Sequence, residues 1–200
     1  ADGTVAGAKD STGAASSPSN VTDGSGTNAD AITSDSSPAA VQKFWSGRNG
    51  VNAKLYNSDG KALVDENLLK AVAMGIQAFE AKNPGYHVQI QGPNGGRRGI
   101  GALTKTFNHT PQKGTGLGAA LDLRVFQKDA DGKPTGKGIT NHPGSAFRGE
   151  LSVGQAAPIY QQIFNETVVA AYEMGGKALA QTFRFGGYFG KGSVDLMHID

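Results

Sequence analysis

Two short segments of this 200-residue chain contain the residue types that can do hydrolytic chemistry. Near the end of the sequence, Asp195 and His198 are three residues apart in the run DLMHID, and Asp122 lies much earlier in the run GAALDL. Imidazole and carboxylate groups are zinc ligands, and a carboxylate beside a zinc-bound water can accept the proton of that water. A hydrolytic zinc site is one interpretation of this set. The other is that Asp195 and His198 form an ordinary surface ion pair.

The composition restricts which partners and metal ligands are available. Cysteine is absent, which excludes disulfides and thiolate metal sites and leaves histidine and carboxylate groups as the strong ligands. Residues 41 to 200 contain 18 basic and 12 acidic side chains, so this part of the chain is mildly basic. No dense run of Lys and Arg occurs, which argues against nucleic acid as a partner. No apolar run is long enough to predict a membrane span.

The two segments resemble the two signature motifs of the zinc D-Ala-D-Ala carboxypeptidase and phage endolysin peptidase family. Those motifs are roughly SxHxxGxAxD and, toward the C-terminus, WGG followed by (D/E)xxHx(D/E). Gly118, Ala120 and Asp122 match the first motif, and the Phe-Gly-Gly at residues 185–187 stands where the family usually has Trp-Gly-Gly. The resemblance covers most of residues 75–200.

This resemblance implies a role for each matching residue. Asp122 and His198 would bind zinc, and Asp195 would be the carboxylate that deprotonates the zinc-bound water. Arg97 or Arg98, in the glycine-rich run GPNGGRRG, would lie near the arginine that steadies the substrate.

The sequence departs from the family at one zinc ligand. The first histidine of the motif falls at position 115, where this chain has Thr115, and the preceding motif serine is replaced by Lys113. A neutral hydroxyl is a poor zinc ligand compared with imidazole. His109, six residues upstream of Thr115, is a candidate replacement ligand, and His142 is a second one.

The elements that must position these residues follow from hydrophobic periodicity and from cap and turn residues. The predicted elements are a helix over residues 65–83, a strand over 87–91, a strand over 120–126, a helix from Ser152 to the glycine pair at 175–176, and a short strand over 182–185. The alternation in the 120–126 strand predicts that Asp122 lies on its polar face. Residues 127–150 are predicted to form a long loop.

The first forty residues differ from the rest of the chain in composition. They are mostly small and polar, contain no aromatic residue, and carry one lysine against five aspartates, so we expect a disordered leader or linker over residues 1–40. Residues 41–200 are expected to form one α+β domain, with a small, mostly antiparallel sheet and flanking helices, as the resemblance to the D,D-peptidase fold implies.

The resemblance also implies a function. We expect a zinc-dependent hydrolase acting on a stem-peptide amide bond of peptidoglycan, located outside the cell, in the cell wall or on a virion. The flexible leader would attach the domain to a phage or cell-envelope assembly. The alternative is a degenerate, inactive member that binds the cell wall or serves as a structural module, and Thr115 is the reason to consider it.

Overall fold

The computed structural model of the protein describes residues 31–48, 55–90, 117–136, 138–139, 149–190 and 194–200. The elements in these ranges are α1 (Pro38–Ser46), α2 (Glu66–Lys82), β1 (Tyr86–Ile90), β2 (Leu121–Lys128), β3 (Pro134–Thr135), α3 (Val153–Ala180), a 3-10 turn (Gly186–Tyr188) and β4 (His198–Ile199). Three helices and a small open antiparallel sheet therefore confirm the predicted α+β class.

Side-chain caps fix where the two long helices begin. The Asp65 carboxylate accepts a hydrogen bond from the backbone N–H of Leu68 and caps α2. Ser152 and Gln155 form a reciprocal capping box at the start of α3. The predicted end of α3 at the glycine pair is only partly right. Gly176 has a φ of 65° and interrupts the helix, but the chain resumes helical geometry as far as Ala180.

Strand β2 is the centre of the sheet and pairs with all three other strands. It runs antiparallel to β1 along residues 123–127, to β3 at its last two residues and to β4 at its first two. Alternate residues of β2 point into the core and are fully buried; these are Leu121, Leu123 and Val125. The intervening positions, Asp122, Arg124 and Phe126, are half-buried on the opposite face, which Asp122 and Arg124 make polar.

The core-facing side of the sheet is covered by helices that pack closely on one another. Helices α2 and α3 cross at Gly75, where an added methyl group would overlap the Thr167 side chain and backbone. The Tyr160 hydroxyl of α3 accepts a hydrogen bond from the buried Val125 N–H of β2. This hydrogen bond ties the helix layer to the strand that carries Asp122.

Two details differ from the sequence-based expectations. Ile32 is buried in the core and its N–H donates to the Gln77 side chain, so packing begins before the predicted boundary at residue 41. Residues 1–30 of the predicted leader lie outside the described residues. The predicted strand over 182–185 is shorter than expected, because only Arg184 and Phe185 pair with Asp200 and Ile199 before the chain turns at Gly186.

Candidate functional site

Asp122 and His198 are brought together by strand pairing. They are directly opposed residues in the antiparallel register of β2 and β4, so their side chains leave the sheet on the same face. Nδ1 of the His198 ring lies 3.4 Å from Oδ1 of Asp122. The pair sits on the polar face of β2, away from the buried Leu121 and Leu123.

Asp195 joins this pair from the turn that precedes β4. The backbone N–H of His198 donates to the Asp195 carbonyl, and the Asp195 carboxylate accepts a hydrogen bond from the Met197 N–H at 3.3 Å. The turn thus folds the Asp195 side chain back toward His198. Asp122, Asp195 and His198 each offer one ligand atom, and these atoms all lie within 4.8 Å of one another.

The two glycines of the Phe-Gly-Gly run allow this turn to approach closely. A Cβ atom on Gly186 would overlap the carbonyl oxygen of Asp195 and would lie 2.8 Å from Cβ of His198. A Cβ atom on Gly187 would overlap the ring of Phe185, which is buried and stacks on Phe164. Any larger residue at these two positions would therefore overlap its neighbours, which is a physical reason for the two glycines of the Phe-Gly-Gly run.

Residues that the sequence analysis left without a role surround the other edge of the His198 ring. Nε2 of His198 lies 3.4 Å from Oδ2 of Asp200, and Arg184 donates to both carboxylate oxygens of Asp200. The Phe189 ring lies against His198, with 5.4 Å between the ring centroids. For Asp200 the sequence signal was its place as the last acidic residue of the (D/E)xxHx(D/E) motif, two residues after His198 in an extended segment, which puts both side chains on one face.

The charges around His198 set its protonation. Burial of the ring would by itself lower its pKa, but the carboxylates of Asp122 and Asp200 outweigh burial and raise the pKa of His198 to about 9. Burial would by itself raise the pKa of Asp200, but His198 and Arg184 outweigh burial and lower that pKa. Without a metal, the ring is therefore a cation held by carboxylates at neutral pH. His198 is only 8% exposed, which is unlike a surface ion pair.

Several predicted site residues lie outside the described residues. These are Arg97, Arg98, His109, Thr115 and His142. The described part of the chain thus brings together Asp122, Asp195 and His198, while the substrate-binding arginine and the replacement zinc ligand stay predictions.

The donor set suits zinc in both chemistry and spacing. Two ligands on a tetrahedral zinc, with bonds of about 2.0–2.2 Å, are separated by about 3.3–3.5 Å. The 3.4 Å between Asp122 Oδ1 and His198 Nδ1 is compatible with this spacing. One imidazole and two carboxylates also match the ligand types that zinc accepts.

No protein-family model, curated protein or solved structure matches this chain.

Proposed function

We propose that this domain is a zinc-dependent hydrolase of the D,D-peptidase type, which cleaves an amide bond in the stem peptides of peptidoglycan. The observation that carries the proposal is the 3.4 Å separation of Asp122 Oδ1 and His198 Nδ1, with a carboxylate oxygen of Asp195 also within 4.8 Å. At these distances Asp122 and His198 could both bind one zinc ion, with Asp195 near enough to act as the general base.

Each of the three side chains has a separate task in this proposal. Asp122 and His198 hold the metal from two paired strands, which keeps their separation fixed. Zinc held there would supply a water of lowered pKa and a polarised carbonyl group of the substrate. Asp195 accepts the proton of the attacking water and returns it to the leaving amine, and its turn keeps the carboxylate beside the ligands.

The substrate and the location follow from the resemblance together with the composition. We propose a location outside the cell, in the cell wall or on a virion, with the segment before Ile32 as a tether to a phage or cell-envelope assembly. Arg97 or Arg98 would pair with an anionic group of the stem peptide. Within the part of the chain that the structure describes, no helix has the length and apolarity needed to cross a membrane.

A second candidate is a binding module that keeps the fold without catalysis. The observation that favours it is Thr115 at the position of the family's first histidine ligand, because two protein ligands hold zinc more weakly than three. An inactive member would still present the polar face of β2 to a cell-wall peptide or to a partner in an assembly.

Metal binding tests the proposal most directly. We expect the purified chain to bind one zinc ion, measured by competition with a chromogenic chelator and by elemental analysis after dialysis. Replacing the third ligand should loosen zinc, so His109→Ala or His142→Ala should weaken binding, whereas Thr115→His should tighten it. His87→Ala is the matched control, because His87 lies on β1 beside Glu80 and away from the site.

Hydrolysis separates the two candidates. Incubation of the zinc-loaded protein with purified peptidoglycan or stem peptides should release peptide fragments detectable by mass spectrometry, and Asp195→Asn should abolish the release while zinc is retained. Zinc binding without any hydrolysis, even for Thr115→His, would favour the binding module. A chain that binds no zinc at neutral pH would refute the hydrolase.

A further inference from the structure

Beyond the proposed metal ligands, the structure shows a continuous chain of polar contacts that ends on the His198 ring. Arg184 donates from Nε to Oδ1 of Asp200 at 3.0 Å and from its terminal nitrogen to Oδ2. Asp200 Oδ2 in turn lies 3.4 Å from Nε2 of His198. Nδ1, on the opposite side of the same ring, faces Asp122. Each ring nitrogen therefore has its own carboxylate.

The backbone fixes the two residues at the start of this chain. Arg184 and Asp200 exchange backbone hydrogen bonds in both directions, and the neighbouring Phe185 and Ile199 form a β-bridge. The Asp200 side chain is only 2% exposed, whereas Arg184 is 63% exposed and lies over it from the solvent side. The carboxylate is thus buried between a surface arginine and the histidine ring, with little freedom to rotate.

We propose that Asp200, held by Arg184, is a positioning residue that fixes the His198 ring with its Nε2 proton toward Asp200 and its Nδ1 lone pair toward the metal position. A histidine ligand whose second nitrogen donates to a carboxylate is held in one tautomer and one orientation, and it becomes a more basic ligand. This inference rests on the proposed function, because it assigns a purpose to the two residues relative to a zinc site.

The alternative is that Arg184 and Asp200 only join the 184–185 segment to β4. Backbone hydrogen bonds and the Phe185–Ile199 bridge already make that connection. A purely mechanical pair would also not need to present a carboxylate to the ring nitrogen that faces away from Asp122. The two explanations differ in what happens to the zinc affinity and to the ring protons when the carboxylate is removed.

The test is zinc affinity of the full chain, measured by competition with a chromogenic chelator at fixed pH. We expect Asp200→Ala to weaken zinc binding by about 10- to 100-fold, the usual effect of removing such a carboxylate. Asp200→Asn keeps an acceptor oxygen and should recover part of the loss. Arg184→Met should give a smaller loss. Arg48→Met is the matched control, because Arg48 holds Glu80 beside His87 in the same manner but away from the site.

A spectroscopic readout separates positioning from general destabilisation. In nitrogen-15 spectra of the zinc-loaded protein, wild-type His198 should have the metal on Nδ1 and a proton on Nε2, and Asp200→Ala should broaden or alter this pattern while the His87 signals stay unchanged. Unchanged zinc affinity and an unchanged His198 pattern in Asp200→Ala would overturn the inference and leave the proposed zinc site intact. Absence of zinc binding in the wild-type chain would instead refute the proposed function, and the inference with it.

Discussion

Two clusters in this protein each combine an arginine, a carboxylate and a histidine, but they shift the pKa of the histidine in opposite directions. In one, Arg48 forms a two-pronged ion pair with Glu80, and Nδ1 of His87 lies 3.6 Å from the same carboxylate. In the other, Arg184 pairs with Asp200, which lies beside His198. The pKa of His87 is lowered from its usual value, whereas that of His198 is raised to about 9.

The difference comes from how many carboxylates face each ring and what else they bind. Glu80 is shared, because Oε1 accepts hydrogen bonds from Arg48 at 2.6 Å and from the Val88 N–H at 2.7 Å. Burial therefore dominates at His87, with Arg48 and Lys128 also opposing its charge. His198 has a second carboxylate, which Asp122 supplies across the strand pair. The cluster around Glu80 is thus structural, whereas the cluster around Asp200 is suited to a ligand site.

Removing Glu80 should have the largest effect on stability. Glu80→Ala leaves the half-buried Arg48 guanidinium and the Val88 N–H without their carboxylate partner, and we expect a loss of about 3 kcal/mol in the free energy of unfolding. Urea denaturation measures this loss. Zinc affinity should stay within twofold of wild type. Glu173→Ala, at an exposed position on α3, is the control and should change stability by less than about 0.5 kcal/mol. A large loss of zinc affinity would show that the two clusters are coupled.

Adding a methyl group at Gly186 should disturb the packing around His198 and leave the packing around His87 unchanged. The added methyl group of Gly186→Ala meets the Asp195 carbonyl and Cβ of His198, so we expect about 2 kcal/mol of destabilisation together with weaker zinc binding. Thermal unfolding and chelator competition report the two effects. Gly190→Ala is the matched control, since nothing lies within 4 Å of its added Cβ. Equal behaviour of the two variants would contradict the packing described for the turn.

The raised pKa of His198 predicts a pH dependence for the metal-free protein. A folded-state pKa of about 9 exceeds the unfolded value of about 6.5, so this stabilisation is complete below pH 6.5 and is lost as the pH rises through 9. Unfolding in chelator should become easier by about 1–3 kcal/mol over that range. Asp122→Asn removes one carboxylate and should flatten the profile. A wild-type stability that rises between pH 7 and 9 would show that the carboxylates do not hold the charged ring.

His87 should give the opposite trend at lower pH. Because its folded-state pKa is lowered, stability falls as the pH drops below the unfolded value of about 6.5. Histidine proton resonances followed by NMR during a pH titration would assign each trend to its own ring.

Removing the exposed Arg184 should have the smallest effect on the free energy of unfolding. Arg184 is 63% exposed, so Arg184→Met should cost less than about 1 kcal/mol, as surface ion pairs do. Arg48 is 16% exposed, and it also donates to the Val88 carbonyl, so Arg48→Met should cost more. Parallel urea titrations compare the two. A larger loss for Arg184→Met would indicate that its role is chiefly structural.

Much of the local structure could be predicted from the sequence. Apolar spacing located α2, and the capping side chain of Ser152 located the start of α3, each to within one residue. Alternation located β1 and β2 and placed Asp122 on the polar face. These signals are readable because helix and strand periods, and cap hydrogen bonds, involve residues close together in the chain. Helix α1, which is short, was not predicted.

Only the tertiary structure decided which distant residues meet. The sequence supplied Asp122, Asp195 and His198 as candidates through their types and spacing, but the register of β2 with β4 determines that Asp122 faces His198. It also determines that Arg184 covers Asp200, sixteen residues away. A one-residue change of register would turn Asp122 to the other face of the sheet. Such pairings depend on the whole packed core, which no local pattern in the sequence specifies.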